Sequence, residues 1–330
     1  MNLDNITIYL STNCVDITPL NDLTDFNKNF VRDLYRDEPF PIFEHSIYHL
    51  LSYLIFDYKL FTASSVSWRG VVALKEDAVV FFTPLVLEED SFLKFINKLS
   101  DFATNYKIKI QNVSAYWVHK HEKIIKSWKI ENRSREEAVY DVKLLHDLPG
   151  KDFSKLRNTK NRLLRSNVLT FKTISENNKN HLKIILQKWQ KTQGYKYSKD
   201  KTDKEIFMCT KFVKFLEGEP DSVIANIGYI KDAPVSYCLM HKALSDDNWW
   251  TIYSIKGLNQ HKDGGTRGVS DATYINCIER ANKKGALFLN DGELGIENGS
   301  REHKLRFRKK RIQRGFFASF YQLDNRCFDK

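Results

Sequence analysis

The stretch that decides the fold runs from Val223 to Asn290. It reads VIANIGY (223–229), PVSYCLMHKA (234–243) and WWTIYSI (249–255), then VSDATYINCIERANKK (269–284) and ALFLN (286–290). The first three runs are rich in β-branched and aromatic residues. Polar breaks at Lys231-Asp232 and Ser245-Asp246-Asp247 separate them, which predicts three antiparallel strands. Residues 269–284 read as a helix ended by Gly285, and residues 286–290 as a further strand.

Working outward, Leu148-Pro149-Gly150 punctuates the chain. A helix is predicted beyond it, with Phe153, Leu156, Leu163 and Leu164 on one face. Lys151, Lys155, Asn158, Arg162 and Arg165 recur at helical spacing on another. A second helix is expected over Asn177–Gln193. The first half runs more faintly through helices at Asn21–Arg36 and His45–Tyr58 and strands at Leu60–Ser67, Gly70–Leu74 and Ala78–Thr83. A helix at Ser91–Tyr106 and strands at Ile108–Val118 and Ala138–Leu144 complete it. The expected class is α/β (α+β), with mixed sheets flanked by helices. Two domains are expected, 1–147 and 148–330, alike in layout without a residue-level repeat.

Composition agrees. At about 100–200 residues per domain, 330 residues suggest roughly two. A hydrophobic fraction of 42% supplies a packed core and excludes disorder along most of the chain. Five scattered cysteines, none spaced as CxxC, argue against a disulfide framework or zinc ribbon. The opening MNLDNITIYLSTN does not read as a signal peptide, and no apolar window reaches the ~20 residues of a spanning helix. A soluble, cytoplasmic protein is expected, with any membrane contact peripheral. The formal charge of +11 is concentrated. Residues 151–165 hold six basic residues and one acid, and residues 301–314 hold eight and one. Two basic patches on a neutral body point to a polyanionic partner, or to two solvated helix faces.

Two constellations could carry chemistry. Asp263-Gly264-Gly265-Thr266-Arg267-Gly268 lies between a strand and a helix, where glycines let backbone amides approach a phosphate. It reads either as a plain turn or as a cradle for a coenzyme A pyrophosphate or a nucleic-acid phosphate. Asn290-Asp291-Gly292-Glu293-Leu294-Gly295 closes a strand and is followed by Arg301, Lys304 and Arg306. It reads either as a polar surface turn or as an acid–base pair with cations to stabilise an oxyanion. His119-Lys120-His121, on a strand-like segment, has no identifiable partner ligand, so no metal is expected. No nucleophile elbow or triad signature occurs.

The stretch Leu148-Pro149-Gly150-Lys151 with Arg157-Asn158, Asn161 and Arg162 resembles a pattern of the phosphatidylglycerol lysyltransferase C-terminal domain family. So does Leu289-Asn290-Asp291-Gly292-Glu293-Leu294-Gly295 with Gly299, Arg301 and Lys304. The resemblance covers about residues 140–315. It implies tandem acetyltransferase-like (GNAT) domains related to Fem-type transferases, and use of aminoacyl-tRNA as co-substrate rather than a bound cofactor. The acceptor would be a small molecule, a peptide or a lipid head group. Asp291, Glu293, Lys304 and Arg301 are then the expected catalytic residues. Lys151, Lys155, Arg157, Asn158 and Arg162 would hold donor phosphates, with Gly265, Arg267 and Gly268 alongside. An aminoacyl ester is already activated, so positioning and oxyanion stabilisation suffice. Two alternatives remain: N-acyl transfer from acyl-CoA or acyl-carrier protein, and a non-catalytic RNA-binding module on a transferase fold.

Overall fold

The computed structural model describes residues 3–14, 16–22, 24–39, 41–126, 129–131, 137–192, 199–216, 221–243, 246–260 and 264–293, with Lys304, Phe307 and 321–324. Its contacts divide the chain into two compact units. The first holds residues 1–137, 244–246 and 316–330, and the second 138–243 and 247–315.

In the first unit, helices α1 (Leu3–Asn13), α2 (Asp25–Leu34) and α3 (Ile47–Ser52) surround strand β1 (Asp16–Pro19) in sequence. Strands β2 (Lys59–Ser64), β3 (Trp68–Lys75) and β4 (Ala78–Val86) then form an antiparallel meander. Helix α4 (Glu89–Phe102) leads to β5 (Lys107–Val113), which lies parallel to β4. Helices α5 (Ala115–Lys120) and α6 (Glu122–Lys126) precede the short strand β6 (Lys129–Glu131). Phe92, Ile96 and Leu99 recur at helical spacing on α4 and are fully buried with Trp68, Phe81 and Ile110. Each such side chain contributes about 1.5–3 kcal/mol on burial.

The second unit begins with β7 (Glu137–Asp141), α7 (Val142–Asp147), α8 (Ser154–Thr159) and β8 (Leu169–Thr173). Helices α9 (Asn180–Thr192) and α10 (Lys199–Leu216) follow. Next come β9 (Val223–Ile230), β10 (Ala233–Lys242), β11 (Trp249–Gly257), α11 (Val269–Lys283) and β12 (Phe288–Glu293). Strands β8 to β11 are antiparallel, and β12 runs parallel to β11. Sheet order is β7-β12-β11-β10-β9-β8 here. In the first unit it is β1-β2-β3-β4-β5-β13-β6, where β13 is Tyr321–Asp324.

Several expectations are corrected. The division falls between residues 137 and 138, not at Leu148, because β7 pairs into the second sheet, and residues 316–330 group with the first unit, where β13 pairs. Leu148-Pro149-Gly150 is an internal turn: Leu148 (φ 46) closes α7 with its amide on the Leu144 carbonyl at 2.9 Å. The strand expected to Val118 ends at Val113, because Ser114 accepts the Trp117 amide at 3.0 Å and starts α5. His119 therefore lies in α5 and His121 caps its end, so the two do not alternate along a strand. His121 is buried against Glu89 at 2.8 Å, while His119 is exposed. Asp141 caps Leu144 at 2.8 Å, turning the expected strand tail 142–144 into α7.

Candidate functional site

Strands β11 and β12 pair in parallel from Trp249↔Phe288 to Thr251↔Asn290. Just beyond that pairing, Asn290 Oδ1 accepts the Gly292 amide at 2.8 Å. Gly292 has φ 65, a left-handed turn that glycine adopts without a Cβ clash. The turn holds the Asp291 carboxylate inside the unit, its side chain only 4% exposed.

Three separate segments supply its partners. Tyr140 of β7 donates its hydroxyl to Asp291 Oδ2 at 3.1 Å. Tyr274 of α11 reaches Oδ1 and Oδ2 at 3.2 and 3.0 Å. The Lys304 ammonium donates to the Asp291 carbonyl and lies 3.6 Å from Oδ2. Phe307, fully buried, packs its ring 4.9 Å from that of Tyr274 and screens the group from water. Burial, then the negative charge of Asp291, pushes the Tyr274 hydroxyl well above its ordinary range, so it remains a donor. A buried ion pair is tolerated when hydrogen bonds satisfy its other lone pairs, and here two phenols do so. Asp291 and Lys304 are thus brought together as a charged pair. The Glu293 side chain and Arg301 lie outside the described residues.

The basic segment continues from α8 into a wider π-turn over Lys160–Arg165. Its residues separate by role. Lys151, Lys155, Asn158 and Arg162 are exposed. Arg157 instead ties the preceding turn, with Nη1 donating to the Leu148 and Gly150 carbonyls at 2.6 and 2.5 Å. Lys160 pairs with Glu279 of α11 at 2.7 Å, so part of the segment's charge is neutralised. Arg162 donates through Nη2 to the Arg267 carbonyl, joining the basic segment to the glycine-rich turn.

One amide of that turn and the first two of α11 are hydrogen-bonded nearby. Gly265 N–H donates to the Gln260 carbonyl at 3.1 Å, Val269 N–H to Thr266 at 3.2 Å, and Ser270 N–H to Asn259 Oδ1 at 3.2 Å. The glycines answer to packing. A Cβ at Gly265 would lie 1.7 Å from the Leu258 carbonyl oxygen, and one at Gly268 (φ +91) would press on Thr159 and Arg162. Arg267 is exposed beside them.

A second cluster escaped the sequence reading. On the other face of β11, the Glu205 carboxylate of α10 accepts from Ser254 at 2.8 Å and Tyr237 at 3.4 Å, and pairs with Lys256 at 2.7 Å. Lys256 lies 5.0 Å over the Trp189 ring. Both charged side chains are about one-sixth exposed, at 15% and 16%. Cys209 sits against Tyr237 at 3.9 Å, its thiol pushed up to about 12 by burial. The available signal was Ser254 and Lys256 alternating in a strand that is mostly apolar. Among the described residues, no group of three or more metal-ligating side chains occurs. No helix there is long and apolar enough to cross a membrane.

A conserved protein of unknown function from Bacteroides thetaiotaomicron superposes with a TM-score of 0.74 at 14% identity, over 94% of this chain and 99% of that one. L-PGS from Bacillus licheniformis gives 0.57 at 15% identity, over 90% and 91%. A tandem GNAT protein from the clavulanic acid biosynthesis pathway gives 0.53 at 8% identity, over 94% and 98%. These likenesses show a tandem GNAT fold. No curated protein matches the chain significantly by sequence. The family model described as "Phosphatidylglycerol lysyltransferase, C-terminal" matches residues 55–323. With that match over most of its length, on a transferase fold, the chain belongs to the phosphatidylglycerol lysyltransferase C-terminal family and is an enzyme of the acyl- and aminoacyl-transferring kind.

Proposed function

We propose that this chain moves an aminoacyl group from aminoacyl-tRNA to an amine or hydroxyl of a small molecule, peptide or lipid head group. We place the chemistry at the Asp291–Lys304 pair. The observation that carries this reading is a lysine ammonium held in the protein interior by a carboxylate that two tyrosines also grip. A fixed cation in a low-dielectric site stabilises a developing oxyanion more than a mobile one in water.

In the proposed reaction the acceptor nucleophile attacks the ester carbonyl, and negative charge grows on its oxygen near the Lys304 ammonium. The new bond to the acceptor forms as the carbon–oxygen bond to the tRNA ribose breaks. The acceptor's proton ends on the released ribose hydroxyl. Asp291 positions Lys304, while Glu293 or Arg301 would orient the acceptor. Exposed Lys151, Lys155, Asn158 and Arg162 would meet donor phosphates. Arg157 contributes indirectly, by fixing the turn that starts the basic helix.

The test is incubation with a full set of labelled aminoacyl-tRNAs and candidate amines, hydroxyl compounds and lipids. Accelerated transfer of at least one label is expected. No acceleration with any label, together with saturable micromolar binding of coenzyme A, would replace this reading with acyl-CoA chemistry. RNA binding with a steep salt dependence and no transfer would leave a binding module.

A further inference from the structure

The basic run near the end of the chain holds one residue that its charge does not explain. Residues 301–314 carry eight basic side chains and one acid, and Phe307 stands between Arg306 and Arg308. Such a segment favours water, because its like charges repel and each cation loses hydration on burial. Phe307 is nevertheless only 1% exposed and joins the core of the second unit with Ile275, Ile278 and Leu289. Its ring lies 4.9 Å from that of Tyr274 at 31°, and 6.2 Å from that of Tyr140 at 50°. Both separations fall where aromatic pairs attract.

These are the two tyrosines that grip Asp291. The Tyr140 hydroxyl also lies 3.4 Å from the Lys304 carbonyl, so it reaches both members of the charged pair. Phe307 thus packs on the rings of groups whose hydroxyls hold the partner of Lys304. Lys304 and Phe307 are three positions apart, close enough that fixing one restricts the other. The Lys304 side chain is 13% exposed. To reach that position the ammonium gives up most of its hydration, so the ion pair alone does little to keep it there. Burying a phenylalanine ring returns about as much free energy as ordering a lysine side chain costs. The ring supplies what the pair lacks.

We infer that Phe307 is a positioning residue of the transferase site: its ring, seated on Tyr140 and Tyr274, holds the Lys304 ammonium against Asp291. The ring is buried and acts only through Lys304. This role rests on the reading that places the chemistry at the Asp291–Lys304 pair, and it deepens that reading. The seat itself concerns where the ammonium stands, which is measurable without any substrate.

Reductive methylation of the full chain with formaldehyde and dimethylamine borane near neutral pH, read lysine by lysine by mass spectrometry, tests the seat. Lys304 should react at least about tenfold more slowly than exposed Lys155, because it must first open locally. Phe307→Ala should bring Lys304 to within about threefold of Lys155, while Lys160, paired with Glu279, keeps its own rate. Phe307→Leu retains the bulk and should restore most of the protection. Where Phe307→Ala does not fold, Phe307→Val should still raise Lys304 reactivity at least about threefold. In single-turnover transfer, adding Phe307→Ala to Lys304→Ala should slow the reaction no further than Lys304→Ala alone. Unchanged Lys304 reactivity in a folded variant, an equal rise at Lys160, or multiplying effects in the double variant would each overturn the role. Absence of transfer from every aminoacyl-tRNA, beside a Lys304 unmasked by Phe307→Ala, would instead strike the transferase reading and leave the seat standing.

Discussion

The two parallel strand pairs, β4–β5 in the first unit and β11–β12 in the second, share a layout and differ in what stands beside it. Each pair is joined by a helix, α4 or α11. Helix α4 starts on Glu88, whose carboxylate takes the Asp90 and Ser91 amides at 3.0 and 2.7 Å, and Glu89 and Asp90 fill its first turn. That end presents negative charge and repels anions. Helix α11 starts on Gly268, beside Arg162 and Arg267. Past the strand ends, the first unit places the His45 imidazole, kept neutral by burial and 3.0 Å from the Asn112 carbonyl, and the second a carboxylate–ammonium pair. The same layout thus carries two different sets of side chains, and the exposed basic residues stand beside the second.

The largest expected effect separates the units by packing. Gly265→Ala drives a Cβ into the Leu258 carbonyl oxygen, which cannot move without breaking the turn, and should cost more than about 3 kcal/mol. Gly70→Ala in the first sheet meets nothing closer than 3.5 Å and should cost less than about 1 kcal/mol. Denaturant unfolding of the two variants measures both. Equal costs would contradict the packing account of the turn.

Next comes charge. Replacing Lys151, Lys155 and Arg162 together by glutamine should weaken tRNA binding and lower the log–log salt slope by about 2–3 units. The same change at Lys94 and Lys98 of α4 should leave binding near the parent value. A salt series of filter-binding curves reads this, and equal effects would mean that the basic segment has no special role.

A smaller effect concerns Glu38, whose folded pKa of about 7 lies above the ordinary 4.5 because of burial. Ionising it opposes folding, so its contribution to stability is full below pH 4.5 and is lost as pH rises through 7. Glu38→Gln should flatten that decline. Against wild type, its melting temperature should gain a few degrees at pH 8 and little at pH 4.5. A gain of the same size at both pH values would contradict the assignment.

Much of this comparison was legible in the sequence, and unevenly so. The second sheet showed itself through unbroken runs such as WWTIYSI, and Asp291 with Lys304 through a glycine-flanked strand end. The strand Leu169–Thr173 was missed because its burial pattern is mostly exposed, leaving little apolar signal. The Glu205–Lys256 pair joins residues 51 positions apart, and no local pattern encodes such a contact. Arg157 looked like its basic neighbours until the turn it ties was seen. Phe307 carries no motif at all. Its meaning comes from Tyr140 and Tyr274, which only the folded chain brings to it.

The account turns on Lys304. Single-turnover transfer from the aminoacyl-tRNA that the wild-type enzyme accepts, measured beside Lys304→Ala with circular dichroism to confirm folding, tests it most directly. The rate should fall about 10²–10³-fold, the usual size for one oxyanion donor. A fall of less than about threefold in a folded variant would remove Lys304, and with it the Asp291 pair, from the reaction.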